Sequence, residues 1–174
     1  MPTLDEVLGT FPDKHFLINV KSDDGQEGAL LATRIADLPA SRRANIMVYG
    51  GGKAIESFAT ALPDIRVLRT EGVIGCLLRY EVLGWSGYVP KACANTLFMI
   101  PANYAPYVWG YPDRLAARLK AHGSLFVTLG GDDGSGFSTG VDDAAAFAQI
   151  PDRFDGAVWT NRIDRIGSLR NAAP

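Results

Sequence analysis

Apolar positions along this chain switch repeatedly between the two-residue spacing of a strand and the three-to-four-residue spacing of a helix. Pro2-Thr3-Leu4-Asp5-Glu6-Val7-Leu8 reads as a short amphipathic helix, with Thr3 as its cap and Glu6 three residues on, the spacing of a capping box. An apolar strand follows at 16–21, on which Asn19 and Lys21 share one face while Ile18 and Val20 take the other. Asp23-Asp24-Gly25 is turn chemistry, and 26–37 is a helix with Leu30, Leu31, Ile35 and Leu38 on one face. Strand 45–49 is broken by Gly50-Gly51-Gly52, and helix 53–62, strand 65–68 and helix 71–83 come next.

Residues 85–112 are irregular. They hold one strand, 96–100, and then a loop rich in proline and aromatics, including Tyr104, Tyr107, Trp109 and Tyr111. Helix 113–122, strand 124–129, a glycine–aspartate loop at 130–140, helix 142–149, strand 156–160 and a terminal helix from Arg162 complete the chain. About six strand–helix units with short connections predict a parallel sheet covered by helices, within one domain spanning 1–174.

Composition narrows the function classes. Of 174 residues 47% are hydrophobic and 21% charged, which fits a packed globular protein rather than a disordered one. A net charge of −2 with dispersed Lys and Arg argues against a nucleic-acid partner, since phosphate neutralisation needs a basic surface. No run reaches the ~20 apolar residues of a membrane helix, and no signal peptide opens the chain. Cys76 and Cys93 have neither metal-ligand spacing nor the density of a disulfide scaffold. Cys76 therefore reads as a small buried hydrophobe, and the pair fits a reducing cytoplasm.

Pro2 to Leu8, Leu17-Ile18-Asn19-Val20-Lys21 and the closing Phe154-Asp155-Gly156-Ala157-Val158-Trp159-Thr160-Asn161-Arg162, taken in order, resemble the glycerophosphodiester phosphodiesterase family. That family has a Pro-Thr-Leu-x-Glu-x-Leu helix, an apolar-Glu-apolar-Lys strand and a Val-Asp-Gly-Ile-Ile-Thr-Asp-type last strand. The resemblance implies a (β/α)₈ TIM barrel of the phosphodiesterase type, incomplete here, because such barrels run to about 250 residues. It also implies metal-dependent hydrolysis of glycerophosphodiesters or lysophospholipid-type lipids, with Ca²⁺ or Mg²⁺ as cofactor.

By that resemblance the first strand of this chain matches the family's third. The family's His-Arg pair, Glu-x-Asp metal pair and His-Asp pair lie before it, so this chain alone is expected to be inactive. His15 and His122 have neither context, and His15 lies about 20 Å from the far end of its strand at about 3.3 Å per residue. Strand edges left open by an incomplete barrel would favour self-association.

The candidate site residues follow. Lys21 matches the family's phosphate-holding lysine, the cation that phosphodiester cleavage needs as charge builds on the non-bridging oxygens; alternatively it snorkels into water. Asn19 stands where the family has a metal-binding Glu, and an amide can coordinate a hard cation without adding charge. Asp132 and Asp133 follow a strand in a glycine-rich loop and are either metal ligands or solvated loop residues. Gly50-Gly51-Gly52 ahead of a helix suggests a phosphate cradle. Trp159 at the end of the last strand is a candidate substrate contact or a core residue, and the aromatic loop at 104–111 is a lid, a membrane-surface contact or packing. Two other readings stay open: a non-catalytic binder of phosphorylated ligands, and an unrelated doubly wound α/β domain.

Overall fold

The computed structural model describes residues 1–134 and 139–172. The chain divides into two compact units, Met1–Arg69 and Thr70–Pro174, each with its own three-stranded parallel sheet. The α/β class expected from the alternating periodicities is present. The two sheets are separate three-stranded ladders, and neither closes on itself.

The first unit runs α1 (Leu4–Thr10), β1 (Phe16–Val20), α2 (Gly25–Ala36), α3 (Ala40–Arg43), β2 (Ile46–Gly50), α4 (Gly52–Ala61) and β3 (Arg66–Val67). Its strands lie in the order β1-β2-β3. The capping box of α1 forms as its sequence predicts: Glu6 N donates to Thr3 Oγ1 at 3.2 Å, and Thr3 N donates back to Glu6 Oε2 at 2.7 Å. Ile18, Val20, Ile46, Val48 and Val67 pack one face of the sheet into a core completed by Ile35, Ile55 and Phe58 of the helices. The opposite face carries Leu17, Asn19, Met47, Tyr49 and Arg66, all partly buried.

Helix α2 turns most of its expected face inward, with Ile35 fully buried and Leu31 and Leu38 packed against the core. Leu30 is the exception at 70% exposed, and Gly28 and Ala32 are buried in addition. The reason is a close main-chain approach: a Cβ on Gly28 would lie 2.0 Å from the carbonyl oxygen of Ala54 in α4. Small residues, not leucines, form the contact between these helices.

The second unit runs α5 (Thr70–Leu83), β4 (Leu97–Pro101), α6 (Asp113–Ala121), β5 (Leu125–Leu129), α7 (Ala144–Phe147), β6 (Ala157–Val158) and α8 (Ile163–Ala172), with its strands in the order β4-β5-β6. Its core is aromatic. Phe126 meets Phe98 at 5.9 Å and Phe154 at 4.9 Å, both edge-to-face, and Tyr111 closes on Phe126 and Phe154 at 6.1 and 6.2 Å. Burial raises the pKa of the Tyr111 hydroxyl.

Here the cysteine reading needs correction. Cys76 and Cys93 form a disulfide, with Cα atoms 5.0 Å apart. Both are buried, as expected of Cys76. The stretch after α5 bends Cys93 back onto that helix, a pairing that a spacing of 17 residues does not reveal. The neighbouring chain is then pinned to the start of β5: Ser124 Oγ donates to Cys93 O at 2.6 Å and accepts from Thr96 N at 2.9 Å.

Candidate functional site

In the first unit the candidate residues gather at the carboxyl end of β1. Asn19 pairs in register with Tyr49 of β2 and is partly buried on the face away from the helices. Lys21 follows the last strand residue and is exposed, with no ion-pair partner among the described residues. Strand β1 ends at Val20, so Lys21 stands one residue beyond the face that carries Asn19. His15 precedes the other end of β1, outside this group.

The chain after Lys21 is tightly held. Ser22 Oγ donates to Glu27 Oε2 at 2.6 Å, and Asp24 Oδ1 caps α2 by accepting from Gln26 N at 2.9 Å. Asp23 Oδ1 accepts from Lys53 N at 2.7 Å, in the first turn of α4. That contact replaces the phosphate cradle expected at Gly50-Gly51-Gly52. A carboxylate from the same chain already occupies the helix start and supplies the negative charge the helix dipole favours. The glycines serve close approach instead: a Cβ on Gly51 would lie 2.2 Å from Ser22 O.

In the second unit the candidates lie beyond β5 and β6. Asp132 is joined to the segment after β4 by a reciprocal pair, with Asp132 N donating to Asn103 Oδ1 at 2.9 Å and Asn103 Nδ2 donating to Asp132 O at 3.1 Å. Its carboxylate turns into its own loop, where Oδ1 accepts from Gly134 N at 2.9 Å. Asp133 is the next residue of that loop; Ser135 and Gly136 lie outside the described residues. Among the described residues no three His, Cys, Asp or Glu side chains converge as metal ligands.

Trp159 is partly buried just past β6, and its main chain keeps pairing on both sides. Trp159 N donates to Thr128 O at 2.9 Å, and Val141 N donates to Trp159 O at 2.8 Å. Beside it, Asp142 accepts from Asn161 N at 2.6 Å, Asn161 Nδ2 at 2.9 Å and Thr160 Oγ1 at 3.0 Å. The Asn161 side-chain bond, followed by the Asn161 main-chain bond, holds the Asp142 carboxyl below the usual carboxylate range.

No protein-family model and no curated protein matches this chain. The site therefore rests on its own geometry. Asn19 and Lys21 lie two residues apart at the carboxyl end of β1 in the first unit, and Asp132, Asp133 and Trp159 follow β5 and β6 of the second. Asn103, Asp142 and Asn161 join those ends, and sequence inspection passes over them. Their sequence signal is position alone: Asn103 and Asn161 lie shortly after strands, and Asp142 just before a helix.

The aromatic loop is mainly packing. The Trp109 ring carries Arg118 at 4.7 Å and Arg114 at 5.8 Å and meets Tyr80 edge-on at 6.4 Å, while Trp109 N donates to Glu81 Oε1 at 3.2 Å. Tyr104 and Tyr107 point outward. His122 caps the end of α6, its Nδ1 lying 2.9 Å from Arg118 O, the structural role its position predicts. A cavity of about 480 Å³ between β6 and α8 is lined by Phe147, Val158, Ile163 and Ile166. The Arg170 guanidinium at its wall is committed to the carbonyls of Phe154 and Gly156, so the cavity offers mainly apolar surface. No helix among the described residues is long and apolar enough to cross a membrane.

Proposed function

We propose that this chain is a glycerophosphodiester phosphodiesterase-like domain that binds the phosphate of a glycerophosphodiester or lysophospholipid-type ligand through Lys21. The observation that carries the reading is the exposed Lys21 ammonium at the carboxyl end of a parallel strand, beside Asn19 and without a carboxylate partner among the described residues. Ligands of α/β folds bind at that end of the strands. The sequence-ordered strands of each sheet are compatible with arcs of a (β/α)₈ barrel. A doubly wound domain would require β1 beside β4, whereas the barrel requires β3 beside β4; cross-linking of paired cysteines on those strands separates the two.

The 174 residues hold neither of the family's catalytic histidines, and Asn19 replaces a charged metal ligand with a neutral one. A non-catalytic binder of phosphorylated ligands is therefore the form of this reading that Asn19 favours. A divalent cation, Ca²⁺ or Mg²⁺, remains part of the proposal as a weakly held cofactor. The disulfide supports an oxidising compartment, where disulfides persist, and we propose one in place of the cytoplasm suggested by two isolated cysteines.

The test is titration with glycerol 3-phosphate followed by ³¹P NMR. Binding by the wild-type chain that Lys21→Ala abolishes, with no turnover of glycerophosphocholine in Ca²⁺ or Mg²⁺, is the expected result. Equal binding by Lys21→Ala removes the reading, and metal-dependent turnover removes its non-catalytic form.

A further inference from the structure

We propose that Asp142 is a positioning residue: its carboxylate clamps Thr160 and Asn161 and thereby fixes Trp159 as a preset aromatic wall at the carboxyl end of β6.

Strand β6 ends at Val158, yet hydrogen bonding continues through the next three residues. Trp159 is bracketed by main-chain bonds to Thr128 on one side and Val141 on the other. Immediately beyond, one carboxylate collects three donors. Asp142 Oδ1 takes Asn161 N and Thr160 Oγ1, and Oδ2 takes Asn161 Nδ2. Only an ionised carboxylate accepts at both oxygens, and bonds to a charged acceptor are about twice as strong as neutral ones. Residues 141–142 and 159–161 are thus stitched by four bonds within a few residues.

The glycine next door fits the same purpose. A Cβ on Gly140 would lie 2.5 Å from Asp142 Oδ1 and 2.7 Å from Asn161 Nδ2. Any side chain there drives the two partners apart. On the other flank Arg162 makes a two-point pairing with Asp164, at 3.0 and 2.7 Å, while its charge also favours the ionised Asp142.

The chemistry makes a swap test possible. In Asp142→Asn the Asn161 amide must turn over to bring its oxygen to the new NH₂, and Thr160 Oγ1 and Asn161 N lose their charged acceptor. In Asn161→Asp two carboxylates face each other. The double variant Asp142→Asn/Asn161→Asp reverses the polarity of that arm and restores a donor–acceptor pair, while Oδ1 of residue 142 still accepts from the main chain.

The readout is ¹⁹F NMR of the full chain labelled with 5-fluorotryptophan. It carries three tryptophans, and Trp159→Phe assigns the Trp159 line. We expect a narrow Trp159 line in the wild type, a shifted and broadened one in each single variant, and recovery in the double variant. The Trp85 and Trp109 lines should stay in place throughout, which certifies the fold.

An unchanged Trp159 line in both single variants, or failure of the double variant to restore it, overturns the positioning role.

Discussion

The two units solve one problem, a three-stranded parallel sheet held by helices, with opposite materials. In the first, glycine and alanine let main chains nearly touch, at Gly28 against Ala54 and at Gly51 against Ser22. In the second, the space is filled by Phe98, Phe126, Phe154 and Tyr111 and stapled by a disulfide. The contrast extends to the strand ends. Beyond β1 the loop is tied down but Lys21 stays in water, while beyond β6 the loop is tied through the residues flanking Trp159. The first arrangement leaves a charge available; the second presets a surface.

The contrast can be broken most forcefully at Gly28. Gly28→Val must displace main-chain atoms of α4, not the yielding end of a side chain, so its cost belongs at or above the top of the about 1–3 kcal/mol range for overpacking. Denaturant unfolding should show the loss in the transition that involves the first unit. A loss below about 1 kcal/mol would mean that the helix contact is looser than its geometry.

Next in size is the disulfide. A closed loop of roughly this length is worth about 3 kcal/mol in the chain-entropy account, so Cys76→Ala/Cys93→Ala should lower the stability of the second unit by that order. Trp109 fluorescence reports it, because Trp109 packs against Tyr80 of α5. Reduction of the wild type should have the same effect, and insensitivity to reductant would show that the thiols are not paired.

The smallest effect concerns acid. Asp142 titrates below the unfolded carboxylate value, first through the Asn161 side chain and then through its main chain. A depressed folded pKa stabilises above the unfolded value, about 3.9, and that contribution is lost as pH falls through the lower folded one. The Trp159 line should therefore hold steady from pH 7 to about 4 and move only below. A transition near pH 6 would point to a different titrating group.

Much of the fold is legible in the sequence because local signals and tertiary outcome agree. The six strands, the Thr3–Glu6 capping box and the helix-end histidine at 122 all follow from periodicity and capping chemistry. What escapes depends on contacts between distant residues. Asp23 and Asp24 read as turn formers whether or not they reach a helix, and only the fold shows that one caps α2 and the other α4. Asp142-Asp143 reads as the start of a helix; Asp143 does cap α7, accepting from Ala146 N at 2.8 Å, while Asp142 turns away to Asn161. The face expected on α2 holds at Leu31, Ile35 and Leu38, but close approach to α4 adds Gly28 and Ala32 and leaves Leu30 outside. The disulfide hides for the same reason: a buried cysteine in an apolar helix looks alike paired or free. Among the site residues, Lys21 and Asn19 were recoverable from strand alternation, and the residues that tie the later strand ends together were not.

Asp23 and Asp24 are consecutive, and each holds the start of a different helix. That leaves the turn after β1 measured to a single residue. An insertion between them would force the chain to release one helix start to keep the other, and a deletion would leave one carboxylate to serve both. Surface loops ordinarily tolerate changes of length. Homologous or engineered versions of this unit should vary elsewhere, and in this turn they should keep their count.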